Sequence, residues 1–451
     1  MLEEKTTLAE AGYPPAGYSY PKDLALFVQD RWKRAPRAVG AVDLCPGLAT
    51  LEAFFSACYH ASMLREEERP VTFRAILAAP SLFSRDQRPP DGLQLLDFSR
   101  SLLFHPEELR RLSVAADPAR TLICVQPQEN SEEPLRIWGL INSGTRWLRD
   151  VQGGRRGGPP LPRALVVRVE APGSIEVYQG YELIGRLHGG KLSGSRVDLF
   201  ESKWLPVEFS DFSERLMDRH EAARRFACEH SGERWASLEP TVARRIAERM
   251  MKRVIAMLRE ARHGGTIIFV PAASVENICS SEPSIDLKYR FTNGCAESSF
   301  ADLVVEILNR LAQVYGTSNQ KRRESVGWHQ FEETTDEELA TLDEALFETA
   351  HLIAGLAAVD GAVVMSKQHE LLGFGGMISG RLPAVRQVAR ALDVEGMAVV
   401  EEETGNVGAR HRSAYRLAGA IPGSVAIVIS QDGGVRFVSQ KDGRVTYWEQ
   451  E

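Results

Sequence analysis

The chain has 451 residues, of which 43% are hydrophobic and 25% charged, with a formal net charge of −7 at pH 7. That length and composition predict a globular protein of two or three domains. The acidic balance argues against a general nucleic-acid binder, which needs a basic stripe, and no run approaches the ~20 apolar residues of a membrane span.

Met1-Leu2-Glu3-Glu4-Lys5 is charged and has no apolar core behind it, so it does not read as a secretory signal, and a cytoplasmic location is expected. Residues 1–20 are rich in Pro, Gly and Tyr and read as an irregular lead. Helices are expected over 21–34 and 50–67, where Leu24, Phe27, Val28 and Trp32, then Leu51, Phe54, Phe55 and Cys58, recur at helical spacing. Strands are expected at 71–77 and 121–125, with a strand–turn–strand unit over 135–149 that turns at Asn142-Ser143-Gly144. The Gly/Arg/Pro run at 151–160 reads as a flexible excursion, and short strands follow at 164–170, 174–178 and 183–187. Together these predict an α+β N-terminal domain over 1–235. Among its histidines, His60, His105 and His188 stand alone, and no catalytic constellation is found there. The six cysteines are scattered without a Cys-x-x-Cys pair and read as reduced, mostly core residues rather than zinc ligands.

Helices at 209–229 and 241–262 come next. In the second, Val242, Ile246, Met250, Val254 and Leu258 recur every four residues until Gly264-Gly265 stops the helix. A boundary near Trp235 places residues 236–451 in a second domain. There a strand (266–270), a strand (284–290), a helix (298–314), a polar loop or insertion (316–338) and a helix (339–356) lead to a further strand pattern. Alternation of strands and helices predicts an α/β domain on a mixed sheet. A turn then joins this strand to one containing Phe374, whose glycines do not complete a dinucleotide fingerprint because Ile378 stands where the third is needed. A helix at 383–392, an acidic loop at 401–405 and strands at 425–430 and 434–439 with a tight turn at Asp432-Gly433-Gly434 complete the pattern.

Two stretches of this second half carry chemistry. In Gly408-Ala409-Arg410-His411-Arg412-Ser413-Ala414, small residues allow a close backbone approach, and two guanidiniums, an imidazole and a hydroxyl follow. That is the composition of a polyphosphate cradle at the start of a helix. Taken alone, a solvated basic face is the plainer reading. In the run 357–365, Asp360-Gly361-Ala362 interrupts an apolar pattern. A carboxylate there either binds a cation or sits in an ordinary turn, and spacing does not choose between the two.

Together, in this order, the stretches resemble the paired Asp-Gly-Ala and Gly-(Thr/Ala)-Arg-His-Arg motifs of the diadenylate cyclase family. The likeness runs over about residues 240–451, with 264–270 similar to the family's first core strand and 427–434 to a late strand and turn. The N-terminal half resembles, more weakly, sensor domains that precede some diadenylate cyclase domains. The resemblance implies a diadenylate-cyclase-like mixed-sheet domain that makes cyclic di-AMP from two ATP, with release of two pyrophosphates, under regulation by the N-terminal domain. It implies catalytic roles for Asp360, Arg410, His411 and Arg412. Gly361, Ala362, Gly408, Ala409, Ser413, Phe374 and Ser430 would contact the nucleotide, and Asp360 and Asp432 would hold a Mg²⁺ or Mn²⁺ ion. It also implies a homodimer or higher homo-oligomer, because each site supplies half of the reaction. Selection of ATP over GTP and the ligand of the N-terminal domain are not readable from the residues. A different class of function, a nucleotide- or cyclic-dinucleotide-binding regulator without chemistry, stands as the alternative.

Overall fold

The computed structural model describes residues 18–34, 45–85, 93–127, 133–153, 162–194, 198–278, 283–291, 297–317, 325–431 and 433–450. The chain divides into two compact units, 1–151 with 156–196, and 152–155 with 197–451. Residues 197–235, placed by sequence in the N-terminal domain, belong to the second unit because Leu199, Phe200, Leu205, Phe212 and Leu216 are buried in its core.

In the first unit, helices α1 (Pro21–Arg34) and α2 (Leu48–Ser62) precede strand β1 (Phe73–Leu77). Strand β2 (Gln94–Leu103), helix α3 (Pro106–Ser113), strands β3 (Thr121–Gln126) and β4 (Arg136–Asn142) and helix α4 (Arg146–Val151) follow. Strands β5 (Leu165–Ala171), β6 (Ser174–Gln179), β7 (Glu182–His188) and β8 (Lys191–Ser193) complete it. They form one sheet in the order β8-β7-β6-β5-β1-β3-β4-β2. It is antiparallel except where β1 runs parallel to β3. α1 and α2 cover one face, where Leu24, Phe54, Phe73, Val167 and Ile175 are fully buried. The expected 135–149 hairpin is half right: β4 ends at Asn142, but the second limb is the helix α4, because Trp147 turns inward to donate from Nε1 to the Gly180 carbonyl at 3.0 Å. Of the 151–160 run, only Val151–Gly153 is described.

The second unit opens with α5 (Trp204–Glu208), α6 (Ser210–His230) and α7 (Thr241–Ala261). β9 (Gly265–Val270), α8 (Ala272–Ile278), β10 (Ile285–Arg290), α9 (Glu297–Thr317), α10 (Trp328–Glu333) and α11 (Glu337–Leu356) follow. Then come β11 (Ala362–Ser366), β12 (Leu371–Ile378), β13 (Gln387–Ala391), β14 (Val399–Glu403), α12 (Ala409–Ala420), β15 (Val425–Ile429), β16 (Val435–Lys441) and β17 (Arg444–Gln450). The nine strands make a mixed sheet in the order β10-β12-β11-β9-β15-β16-β17-β13-β14. β9 is parallel to β11, with Ile267 opposite Val363, and antiparallel to β15, with Gly265 opposite Ile429.

Alternation along β9 sorts the two layers. Ile267 and Phe269 face the core shared with α6, α7, α9 and α11, and Ile268 and Val270 face the core shared with α12. α11 starts sharply because the Asp336 carboxylate accepts from the Leu339 N–H at 3.0 Å and is itself gripped by Arg310. α7 and α11 are tied together by Arg253, whose guanidinium meets both carboxylate oxygens of Asp343 at 2.8 and 2.9 Å in full burial.

Three expectations are corrected here. Residues 383–392 do not form a helix: Gln387–Ala391 is a strand between β17 and β14, and Val388 and Ala389 are buried by that pairing. The acidic stretch is strand β14 up to Glu403, followed by a single 3-10 turn over Thr404–Asn406. Its carboxylates are engaged, Glu402 with Arg390 and the Tyr447 hydroxyl and Glu401 with Arg444. The polar segment at 316–338 is not simply exposed: its described part includes α10, with Gln330 and Phe331 buried, and Val326 bridges to Leu238.

Candidate functional site

β9, β11 and β15 bring their matching ends to one edge of the second unit's sheet. β9 begins at Gly265, after His263-Gly264. Parallel to it, β11 begins at Ala362, after Asp360-Gly361, and antiparallel β15 ends at Ile429, before Ser430.

Asp360 is exposed in the turn between α11 and β11, so its carboxylate is not forced into an apolar run. Gly361 adopts φ +112°, where a side chain is strained. A Cβ on it would stand 2.5 Å from the Gly375 carbonyl carbon. The backbone of this turn therefore rests directly on β12. Ala362 is buried and pairs with Gly376. Phe374, two residues earlier on β12, is half-buried and stacks on Tyr289 of β10 at 4.6 Å, with Phe291 beyond it at 5.8 Å.

α12 approaches the same edge from the other face of the sheet. Its N-cap is Gly408, which offers no side-chain cap, so the first backbone N–H groups lack that partner. Ala414, Tyr415, Leu417 and Ala418 are buried against β15, β16 and β17, and this fixes the helix with its basic turn outward. Arg410 reaches back across the sheet edge and donates from Nη1 to the His263 carbonyl at 3.3 Å. A Cβ on Gly264 would stand 2.6 Å from that nitrogen and 2.8 Å from the Ile429 carbonyl oxygen. Arg412 is exposed and donates to the Val407 carbonyl at 2.8 Å. His411 is half-buried, with Nδ1 3.9 Å from where a Gly408 Cβ would be, and Ser413 is half-buried one residue beyond Arg412. Ser430 is held in the turn by its N–H and Oγ, both directed to the Gly434 carbonyl at 2.8 and 3.1 Å. Asp432 lies outside the described residues.

The structure thus gathers Arg410 and Ser430 at the ends of β9 and β15, and Asp360 and Gly361 at the head of the neighbouring strand. It adds His263, which nothing in the sequence singles out, and a side-chain contact for Gly264, which the sequence presents as a helix stop and the head of the 264–270 strand. Gly264 has φ +66°, and its contacts with Arg410 and Ile429 come from segments more than 140 residues downstream, so no local signal marked it. Among the described residues, no group of three or more His, Cys, Asp or Glu side chains is arranged to hold a metal ion. Nor is any helix among them long and apolar enough to cross a membrane.

The first unit presents a different surface. Arg74, fully buried on β1, lies over the Trp147 ring at 4.3 Å and donates to Ser143 Oγ at 3.1 Å. Residues 41–142 match the family model described as "Probable sensor domain DACNV". The DACNV segment contains α2, β1, β2, α3, β3 and β4 and lies wholly within the first unit. Strands β5 to β8, which extend the same sheet, follow the matched residues. They carry a buried ionic cluster in which Glu176 is bound by Arg186 and the Tyr178 hydroxyl. No curated protein and no solved structure matches the chain.

Proposed function

We propose that the second unit condenses two ATP molecules into cyclic di-AMP, with release of two pyrophosphates, and that the DACNV unit regulates it. The observation that carries this reading is the seat of Arg410 on His263-Gly264, at the strand end beside the Asp360-Gly361 turn. A basic helix start and a lone carboxylate on adjacent strand ends suit a triphosphate and its counter-ion.

In this reaction a ribose 3′-oxygen bonds to the α-phosphorus of the second nucleotide. The bond from that phosphorus to the bridging oxygen breaks, pyrophosphate leaves with the electron pair, and the hydroxyl proton passes to water. Arg410, His411, Arg412 and the first N–H groups of α12 grip the triphosphate and offset the charge that grows on the leaving group. Ser413 and Ser430 add hydroxyl donors. Gly408, Ala409, Gly361 and Ala362 let the backbone come close, and Phe374 offers a ring for the base. Asp360 is a single exposed carboxylate, which fits Mg²⁺ or Mn²⁺ sites that share one or two carboxylates with substrate phosphates. Held there, such an ion supplies Lewis acidity to the attacking hydroxyl and to the phosphate oxygens. Head-to-tail closure of two nucleotides needs a second copy across a two-fold axis, with Arg410 and Asp360 of each copy serving one nucleotide.

The test is incubation of the full chain with ATP and Mg²⁺ or Mn²⁺, followed by chromatography for a cyclic dinucleotide and pyrophosphate. Product with either ion supports the reading, and tight ATP binding without product under both ions overturns it. The second reading, a regulator that binds nucleotide without turning it over, is favoured by one observation: among the described residues no group of three or more His, Cys, Asp or Glu side chains forms around Asp360.

A further inference from the structure

The turn that leads from α7 into β9 holds two left-handed residues. Arg262, which caps α7, has φ +55°, and Gly264 has φ +66°. Glycine adopts this backbone freely, whereas arginine is strained in it, and such strain persists where the surrounding geometry is needed. His263 stands between the two, half-buried. The turn lies against the end of α11, because a Cβ on Gly265 would stand 3.2 Å from the Ala357 carbonyl oxygen. Asp360 follows in that same connection.

His263 makes two contacts, one through its backbone and one through its ring. Its carbonyl accepts from Arg410 Nη1 at 3.3 Å. Its ring Nδ1 lies 2.6 Å from the Gly264 carbonyl oxygen. A carbonyl oxygen accepts and cannot donate, so Nδ1 carries a proton. A charged ring is protonated at Nδ1 as well, so the contact holds in either protonation state of Nε2. The bond closes a short loop through the peptide unit between residues 263 and 264, and so restricts rotation about the bonds on either side of it. Glycine imposes little restraint of its own there. The imidazole supplies it, and the peptide unit so held is the one that offers its oxygen to Arg410.

We propose that His263 is a positioning residue: its ring holds the turn so that the 263 carbonyl seats the Arg410 guanidinium at the strand end. The effect on turnover rests on the nucleotide reading, in which Arg410 offsets charge growing on the departing pyrophosphate. The ring acts through Arg410 and takes no proton from the substrate. An N–H group in the place of Nδ1 therefore suffices, and a ring without one does not.

The test is cyclic-dinucleotide synthesis by the full chain carrying His263→Phe or His263→Asn. Phenylalanine keeps a ring and loses the donor, whereas asparagine places an NH₂ where Nδ1–H stood. His263→Phe should lower kcat about tenfold with KM within about twofold, because Arg410 acts on charge that grows in the transition state. His263→Asn should recover most of that loss. Adding His263→Phe to Arg410→Ala should cost nothing further, since the ring works through that guanidinium. Two readouts need no turnover: ¹⁵N NMR of the labelled wild-type chain should show the neutral His263 ring protonated at Nδ1, and crystals of His263→Phe should show Arg410 off the 263 carbonyl. Equal losses in His263→Phe and His263→Asn, an additive loss in the double variant, a neutral ring protonated at Nε2, or Arg410 still seated in His263→Phe would overturn the proposal. If the wild type makes no cyclic dinucleotide, the nucleotide reading fails, and the tautomer and the seat of Arg410 still decide this one. Should His263→Phe not fold, His263→Ala, which also lacks the donor, takes its place.

Discussion

Arg410 and Gly264 leave no room between them: a Cβ at residue 264 would stand 2.6 Å from Arg410 Nη1, and the Ile429 carbonyl closes the other side at 2.8 Å. The guanidinium can swing away, but the carbonyl is backbone and cannot. Gly264→Ala should therefore cost about 2–4 kcal/mol, about 1 from the left-handed backbone and the rest from the contact with that carbonyl. It should also displace Arg410 and lower cyclic-dinucleotide synthesis at least about tenfold, or about 1.4 kcal/mol of barrier. Thermal denaturation and turnover, measured on the same preparation, separate the two effects.

Asp360→Asn keeps the size and exposure of the side chain while removing its charge. Synthesis should be abolished and ATP binding spared, as read by calorimetry beside product chromatography. Arg412→Ala should weaken both. Activity surviving in Asp360→Asn would defeat the assignment of a cation to this carboxylate.

Gly361→Ala should be a stability variant. Its Cβ would meet the Gly375 carbonyl carbon at 2.5 Å and its Cα at 2.8 Å, both backbone, at a φ of +112°. A loss of about 2–4 kcal/mol is expected. A urea midpoint equal to that of the wild type would show that the turn gives way more easily than its packing implies.

Arg253 and Asp343 are 0% and 2% exposed. Asp343→Ala leaves a guanidinium buried without its carboxylate and should cost about 3–5 kcal/mol. Arg253→Leu with Asp343→Leu should recover much of that loss. A double variant as unstable as the single one would show that Arg253's further bonds, to the Gly153 and Asp343 carbonyls, carry the stabilisation instead.

His369, at φ +60° in the turn between β11 and β12, is buried, and burial makes stability depend on pH in a stated direction. The folded pKa is about 3 and the unfolded value about 6.5, so below pH 6.5 the unfolded chain takes up a proton that the folded chain refuses. The contribution is full above pH 6.5 and falls away as pH drops toward 3. His369→Asn, which tolerates the left-handed backbone, should flatten that part of a denaturation-against-pH curve. An unchanged curve would mean that His369 is protonated in the folded state.

Legibility followed how local each signal is. The four-residue repeat of α7, the glycine-bounded β9 and the pairing of β15 with β16 announce themselves within a few residues. β13 does not: Pro383 to Leu392 alternates poorly, and only pairing of Ala389 with Thr446, far along the chain, makes it a strand. β2 was missed because it carries polar residues and exposes most of its length, pairing on one side only. At the site, the basic turn was visible because its residues are consecutive. Gly264 and His263 were not, because their role rests on Arg410 arriving from the opposite layer.

Asp360 follows a helix packed on one face of the sheet, and Arg410 rides on a helix packed on the other. Their separation is therefore gauged by the thickness of the sandwich, and the valines and isoleucines of β9 and β15 act as its shims. Exchanging one of those for a larger or smaller residue would retune the gap without altering a single charged group. The tolerances of this edge are thus written in the hydrocarbon between its two helical layers.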